Sequence, residues 1–198
     1  MFNDTFYKGK LVSKIEGSSK IISEAPYAGR AVVLRNISNG AVKFTKGGTR
    51  QNKKFAESII GLLDDFYDND PEGLFTIGVI TPYKGEVALL RALKMERKYP
   101  ESFDSRIKIG TIHTFQGSEC DVIIFDMVDC AQLESGKASR IGRLYAGKDG
   151  ERLLNVALSR AKHKLIVVCD QNYIKNIPGN TVTDRTRRVF RDLTRYSV

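Results

Sequence analysis

Along this chain, short apolar runs alternate with stripes of helical spacing. Ala31 to Leu34, Phe75 to Ile80, Val122 to Phe125 and Leu165 to Val168 are mostly apolar on every position, the pattern of strands buried on both faces, and Ile107, Ile109 and Ile112 mark another strand. Between these runs, Phe55, Ile59, Ile60, Leu62, Leu63 and Phe66 recur at helical spacing, with Asn52 placed to cap the first turn. Val87, Leu90 and Leu93 predict a second helix over Gly85 to Met95. From Glu151, the stripe Leu154, Ala157, Leu158 and Ala161 predicts a third, with Asn155, Ser159 and Arg160 on neighbouring parts of it. Asn39-Gly40, Gly47-Gly48 and Pro71-Glu72-Gly73 read as turns. Residues 1–28 read as an irregular lead-in, and 131–150, polar and rich in Gly, Ser and Lys, as a mobile loop. The tail over 183–198 sets Arg185, Arg187, Arg188, Arg191 and Arg195 around Val189, Phe190 and Leu193, a basic surface helix. The alternation predicts an α/β fold in one domain over 1–198, with a mostly parallel sheet flanked by helices.

The segment IKIGTIHTFQGSECDVIIFD, from Ile107 to Asp126, places a polar loop between two strands. Hydroxyls, an amide, a glycine and a carboxylate follow a buried strand there, as at the ligand-binding edge of an open α/β sheet. An ordinary polar connector fits the same residues.

Composition narrows the partners. Among 198 residues, 32 Lys and Arg face 23 Asp and Glu, a formal charge of +9 that favours a polyanion such as nucleic acid. Cys120, Cys130 and Cys169 have no CxxC spacing and only two histidines to join them, so neither a zinc site nor a disulfide framework is expected. No apolar run approaches the roughly 18 residues of a membrane span. A soluble, cytoplasmic protein in a reducing compartment is the expectation.

Three segments carry a resemblance. THTFQGSECDVII is similar to motif V and LLNVALSRAKHKLIVV to motif VI of the superfamily 1 helicases, in the branch containing the helicase of nonsense-mediated mRNA decay. IGVITPYKGEVALL, from Ile77 to Leu90, resembles motif IV, and FNDTFYKGKL, from Phe2 to Leu11, resembles the segment after the family's aromatic-arginine motif. Three positions depart from it: Phe55 stands where an acid is frequent, Glu86 where a glutamine is usual, and His113 where an acidic residue is common.

The resemblance implies a C-terminal RecA-like domain, a P-loop NTPase fold without its own P-loop. Arg160 would reach the γ-phosphate of ATP held with Mg2+ mainly by the N-terminal RecA-like domain of the parent protein, a role suited to a planar, permanently charged guanidinium. Glu119 would lie near the nucleotide sugar, Gly117 would allow close backbone approach, and Gln116 would couple nucleotide to strand. Thr81, Pro82, Tyr83, Thr111, His113 and Thr114 would touch the backbone of single-stranded DNA or RNA without reading sequence. The plain readings are a surface ion pair for Arg160 and loop-stabilising hydrogen bonds for Gln116 and Glu119.

The chain's nearest approach to a phosphate loop is the GxxxxGK frame from Gly142 to Lys148, but Asp149 replaces the required Ser or Thr and no strand precedes it. It reads as a chance match, and no metal site is predicted. The function expected is the second motor domain of an ATP-dependent helicase, inactive as a separate fragment. The rivals are a non-motor nucleic-acid-binding or protein-interaction module derived from such a domain, and a small NTPase using the 142–148 loop.

Overall fold

The computed structural model describes residues 26–70, 75–178 and 180–198, so the segment from Phe2 to Leu11, and all of the 1–28 lead-in but its last three residues, lie outside the described residues. In chain order the strands are β1 (Val32–Asn36), β2 (Lys43–Phe44), β3 (Arg50–Gln51), β4 (Ile77–Thr81), β5 (Ile107–Thr111), β6 (Cys120–Asp126) and β7 (Ala161–Cys169). The helices are α1 (Lys53–Asn69), α2 (Lys84–Arg97), the short α3 (Glu101–Asp104), α4 (Gly147–Leu158), α5 (Gln171–Lys175) and α6 (Asp184–Leu193).

Five strands form one all-parallel sheet in the order β1-β7-β6-β4-β5, and β2 with β3 makes a separate antiparallel hairpin. Because the sheet is buried on both faces, successive side chains of each strand enter different cores. Val79, Ile109, Ile124 and Ile166 pack with Phe55, Ile59, Leu63 and Leu90 from α1 and α2. Ile80, Ile123, Phe125 and Val167 pack on the opposite side with Leu154 and Leu158 of α4, and with Val189 and Phe190 of α6. Asn52 caps α1 as expected, its side chain accepting from the Phe55 amide.

Several boundaries differ from the sequence pattern. Helix α4 starts at Gly147 and ends at Leu158, so Ser159 and Arg160 form the turn after it and Ala161 already belongs to β7. The polar residues Lys162, His163 and Lys164 extend β7 before its apolar run, because the buried Lys164 ammonium donates to the Pro26 carbonyl at 2.9 Å instead of interrupting the strand. The polar stretch over 131–150 is not one long loop. Leu144 and Tyr145 are buried in a single 3-10 turn, and Leu133 pairs with Val42. The basic tail does form a helix, capped by the Thr183 side chain, with Thr186, Val189, Phe190 and Leu193 buried and Arg185, Arg187, Arg188 and Arg191 exposed. Among the described residues no helix is long and apolar enough to cross a membrane, and the three cysteines are free and buried.

Candidate functional site

The polar loop that follows β5 serves two edges of the sheet. Since β5 and β6 are parallel with β4 between them, the chain must travel from the carboxyl end of β5 back to the amino end of β6. A 3-10 turn, Ile112–Phe115, makes this crossing with Phe115 fully buried over β4. Glycine makes the room. A Cβ on Gly78 would stand 2.8 Å from the Phe115 ring, closer than packed atoms tolerate, and one on Gly110 would crowd it at 3.2 Å. His113 and Thr114 therefore stay near the carboxyl edge, while Gln116, Gly117 and Glu119 arrive at the amino edge.

At the amino edge the Cys120 amide donates to the Arg160 carbonyl at 3.1 Å, which sets the end of the loop beside the α4–β7 turn. Gln116, Gly117 and Glu119 are exposed, and Gly117 has φ +78 with nothing within 4 Å of where a Cβ would be. The Arg160 guanidinium is half-buried. Its Nη2 donates to Ser159 Oγ at 2.8 Å and its Nε to the Val156 carbonyl at 3.2 Å. Among the described residues no carboxylate pairs with it, which leaves its charge uncompensated at an open edge.

The carboxyl edge carries a cleft of about 550 Å³. Pro82, Tyr83, Thr111 and His113 line it. Thr81 does not: its side chain is completely buried, with its hydroxyl unpartnered, so it cannot meet a ligand in the cleft. Thr114 is exposed but outside the lining, and its hydroxyl donates to the Thr111 carbonyl at 2.7 Å. The sequence reading missed Phe44, Arg50, Lys84, Ile141 and Arg143, which complete the walls. The usable signal was the Gly47-Gly48 turn, which folds β2 onto β3 and brings an aromatic and an arginine to one place.

A buried polar network supports this edge. Arg50 and Asp129 form an ion pair, and the Tyr83 hydroxyl donates to Asp129 Oδ2 at 2.7 Å. Burial pushes the Asp129 carboxyl up to about 6, against the opposing pull of Arg50 and of the Tyr83 hydrogen bond, so the pair is charged at neutral pH. Gly142 backs onto this pair, where any side chain would collide with Asp129 and the Tyr83 hydroxyl. Next to it, Val128 has φ +62, a strained value for a β-branched residue. Two bonds hold it there: the Val128 amide donates to Asp126 Oδ1 at 2.9 Å, and Asn52 Nδ2 donates to its carbonyl at 2.8 Å.

Glu86 completes the network. It is fully buried, accepts from the Asn52 amide at 2.7 Å through Oε2, and faces Asp126. Burial and the neighbouring Asp126 carboxylate hold Glu86 far above the ordinary glutamate range, and burial raises Asp126 as well. Glu86 Oε1 and Asp126 Oδ2 have no hydrogen-bond partner, and a proton retained on Glu86 would satisfy both. A neutral carboxylic acid thus does here what an amide would do.

The GxxxxGK frame is not built as a phosphate loop. No strand leads into it, Leu144 and Tyr145 point into the core, and the Gly147 amide donates to the Thr181 carbonyl at 3.0 Å. Among the described residues, no three of His, Cys, Asp and Glu converge as metal ligands. For ATP, the fit is to half a site: the amino edge offers a cation without a carboxylate partner, and the buried acids Asp126 and Asp129 are consumed by internal partners.

Comparison with known sequences decides the family. The model of a family described as an AAA domain matches residues 1–172. The chain belongs to that family. Helicase sen1 of Schizosaccharomyces pombe is 37% identical over 142 residues, covering 69% of this chain and 8% of that protein. ATP-dependent helicase NAM7 of Saccharomyces cerevisiae is 30% identical over 199 residues, covering 96% of this chain and 19% of that protein. The Drosophila melanogaster regulator of nonsense transcripts 1 homolog is 37% identical over 93 residues, covering 46% of this chain and 7% of that protein. The chain is therefore a helicase-family AAA domain, a RecA-like α/β domain of superfamily 1 type, and it spans under a fifth of the length of each of these relatives.

Proposed function

We propose that this chain is the second motor domain of an ATP-dependent helicase that moves on single-stranded DNA or RNA. It supplies Arg160 to a nucleotide held by an N-terminal RecA-like domain of the same parent protein, and contributes one wall of the strand channel. The observation that carries the reading is the division of the 112–119 loop. One continuous segment joins His113, beside the cationic cleft, to Gln116, Gly117 and Glu119, beside Arg160. A motor needs such a link, because a shift at the nucleotide must be felt at the strand.

When bound between the two domains, ATP with Mg2+ supplies the phosphoryl group and the metal that neutralises its charge. This chain's part is narrower. Arg160 places a permanent positive charge at the amino edge, Ser159 Oγ and the Val156 carbonyl orient its fork, and Gly117 leaves the backbone accessible. At the other edge, Thr111, His113 and Pro82 border the strand, and Lys84 and Arg143 attract its phosphates.

The test is ATP turnover by the separate 198-residue chain and by its parent protein. The chain alone should not turn over ATP, and the parent should, with stimulation by single strands. Steady turnover by the chain that is lost on Lys148→Ala would replace this reading with an independent NTPase. A parent protein without turnover would favour a binding module.

A further inference from the structure

The carboxyl-edge cleft holds an aromatic side chain that phosphate binding leaves unused. Phe44, at the end of β2, is 45% exposed and lines the cleft. On its inner side the Arg50 guanidinium carbon lies 5.3 Å from the Phe44 ring centroid and 5.5 Å from that of Tyr83, so phenyl, guanidinium and phenol follow one another in a series. The inner end of this series is fixed. Arg50 pairs with the completely buried Asp129 and donates through Nη2 to the Arg140 carbonyl at 2.8 Å, and Tyr83 donates to the same carboxylate.

The hairpin that carries Phe44 is also fixed. The Thr45 amide donates to the Thr49 carbonyl at 2.8 Å, the Gly85 amide to Thr49 Oγ1 at 3.2 Å, and Gln51 Nε2 to the Gly85 carbonyl at 2.9 Å. This docking needs glycine at 85, since a Cβ there would lie 2.7 Å from Thr49 Cγ2 and 2.9 Å from the Arg50 carbonyl. An aromatic ring already oriented loses little freedom when a flat partner settles on it. The surroundings choose the partner. Lys84 and Arg143 contribute cations to the lining, the charge of Arg50 being met by Asp129, and no Asp or Glu is among the residues that form it. A flat apolar surface beside cations suits a nucleobase attached to a phosphate backbone.

We infer that Phe44 is a base-stacking platform for a single strand, with Arg50 as its structural backing. The inference rests on the reading of this edge as the strand-binding side, and adds to it a contact with bases where the other positions meet only backbone. Stacking accepts every base, so it adds grip without sequence preference.

The experiment is fluorescence anisotropy at low salt on the full chain, with labelled 12-nucleotide DNA, RNA and abasic DNA. Phe44→Ala should weaken binding to the base-containing strands roughly tenfold and leave abasic binding unchanged, a loss in the range of one stacked base. Phe44→Trp should retain or tighten binding. Arg143→Ala should weaken all three strands alike, because it meets phosphate. Equal loss on DNA and RNA supports a platform for both, and loss on one alone assigns that strand. If Phe44→Ala melts early, Phe44→Leu replaces it, keeping the apolar bulk without the ring, and it should show the same selective loss. Unchanged binding in Phe44→Leu alongside weakened binding in Arg143→Ala overturns the platform and leaves the strand-binding edge standing. Binding insensitive to Arg143→Ala and Lys84→Ala, or no binding to any strand, removes the edge and the platform together.

Discussion

Replacing Glu86 by glutamine should make this protein more stable at neutral pH, and by an amount that grows with pH. Glu86 is buried against Asp126 and holds a proton that the unfolded chain would release near the ordinary value of 4.5. Its folded pKa is raised, so above that ordinary value the folded state binds a proton that the unfolded state does not, and stability falls as pH rises. The slope is about 1.4 kcal/mol per pH unit for one retained proton. Between pH 5.5 and 7.5 the wild-type chain should therefore lose about 2.7 kcal/mol relative to a variant in which this position cannot titrate. Glutamine is such a variant, and it fits: its amide can donate to Asp126 Oδ2 while its carbonyl accepts from the Asn52 amide, as Glu86 Oε2 now does at 2.7 Å. At pH 7, some 2.5 units above the ordinary value, Glu86→Gln should gain roughly 3 kcal/mol. The assay is urea denaturation of both proteins at pH 5.5, 6.5 and 7.5, where groups remote from position 86 cancel in the difference. A constant difference across the three pH values would refute the shared proton, and a destabilised Glu86→Gln at all three would refute the geometry.

Two further substitutions probe the same scaffold. Asp129→Ala leaves the buried Arg50 guanidinium without its carboxylate and should cost about 3–5 kcal/mol, read as a lower midpoint in urea at unchanged slope. Gly78→Ala would place a Cβ 2.6 Å from Ile123 Cδ1 and 2.8 Å from the Phe115 ring. It should cost about 1–3 kcal/mol in thermal or urea melts, and because Phe115 anchors the crossing between the two edges, ATP turnover in the parent protein should fall as well. A neutral Gly78→Ala would mean the crossing is looser than its packing indicates.

The strands were legible because both faces of the sheet are buried. Ile123, Ile124 and Phe125 leave no polar face to confuse with a helix, and the helices on either side keep clear stripes, as in Phe55, Ile59 and Leu63. The pattern failed where a polar side chain is satisfied by something distant. Lys164 extends β7 only because it reaches the Pro26 carbonyl, and Tyr145 makes 131–150 partly core because it packs on Tyr173 and Phe190. At the site, His113 and Tyr83 could be placed from strand ends alone. Thr81 could not, since β4 is buried on both faces as far as its last residue. Asp126, the last residue of β6, is wholly buried and faces Glu86 from a different element, which its place at a strand end does not reveal. The pairing of Arg50 with Asp129, 79 residues apart, has no local signature at all. It is such long-range polar pairs that build the cleft.

The proposed motor role requires that this chain complete a nucleotide site from outside, through Arg160. The most direct measurement is ATP turnover by the parent protein with saturating single strand, for wild type, Arg160→Ala and Arg160→Lys, beside thermal melts of this chain carrying the same changes. Among the described residues Arg160 donates to Ser159 and Val156, its neighbours in the chain, so the melts should hardly move. Turnover should fall by on the order of 10³ or more in Arg160→Ala, and Arg160→Lys should recover only a small part, since a point charge cannot reproduce the planar fork. Near-normal kcat in Arg160→Ala, with the fold intact, would contradict the claim.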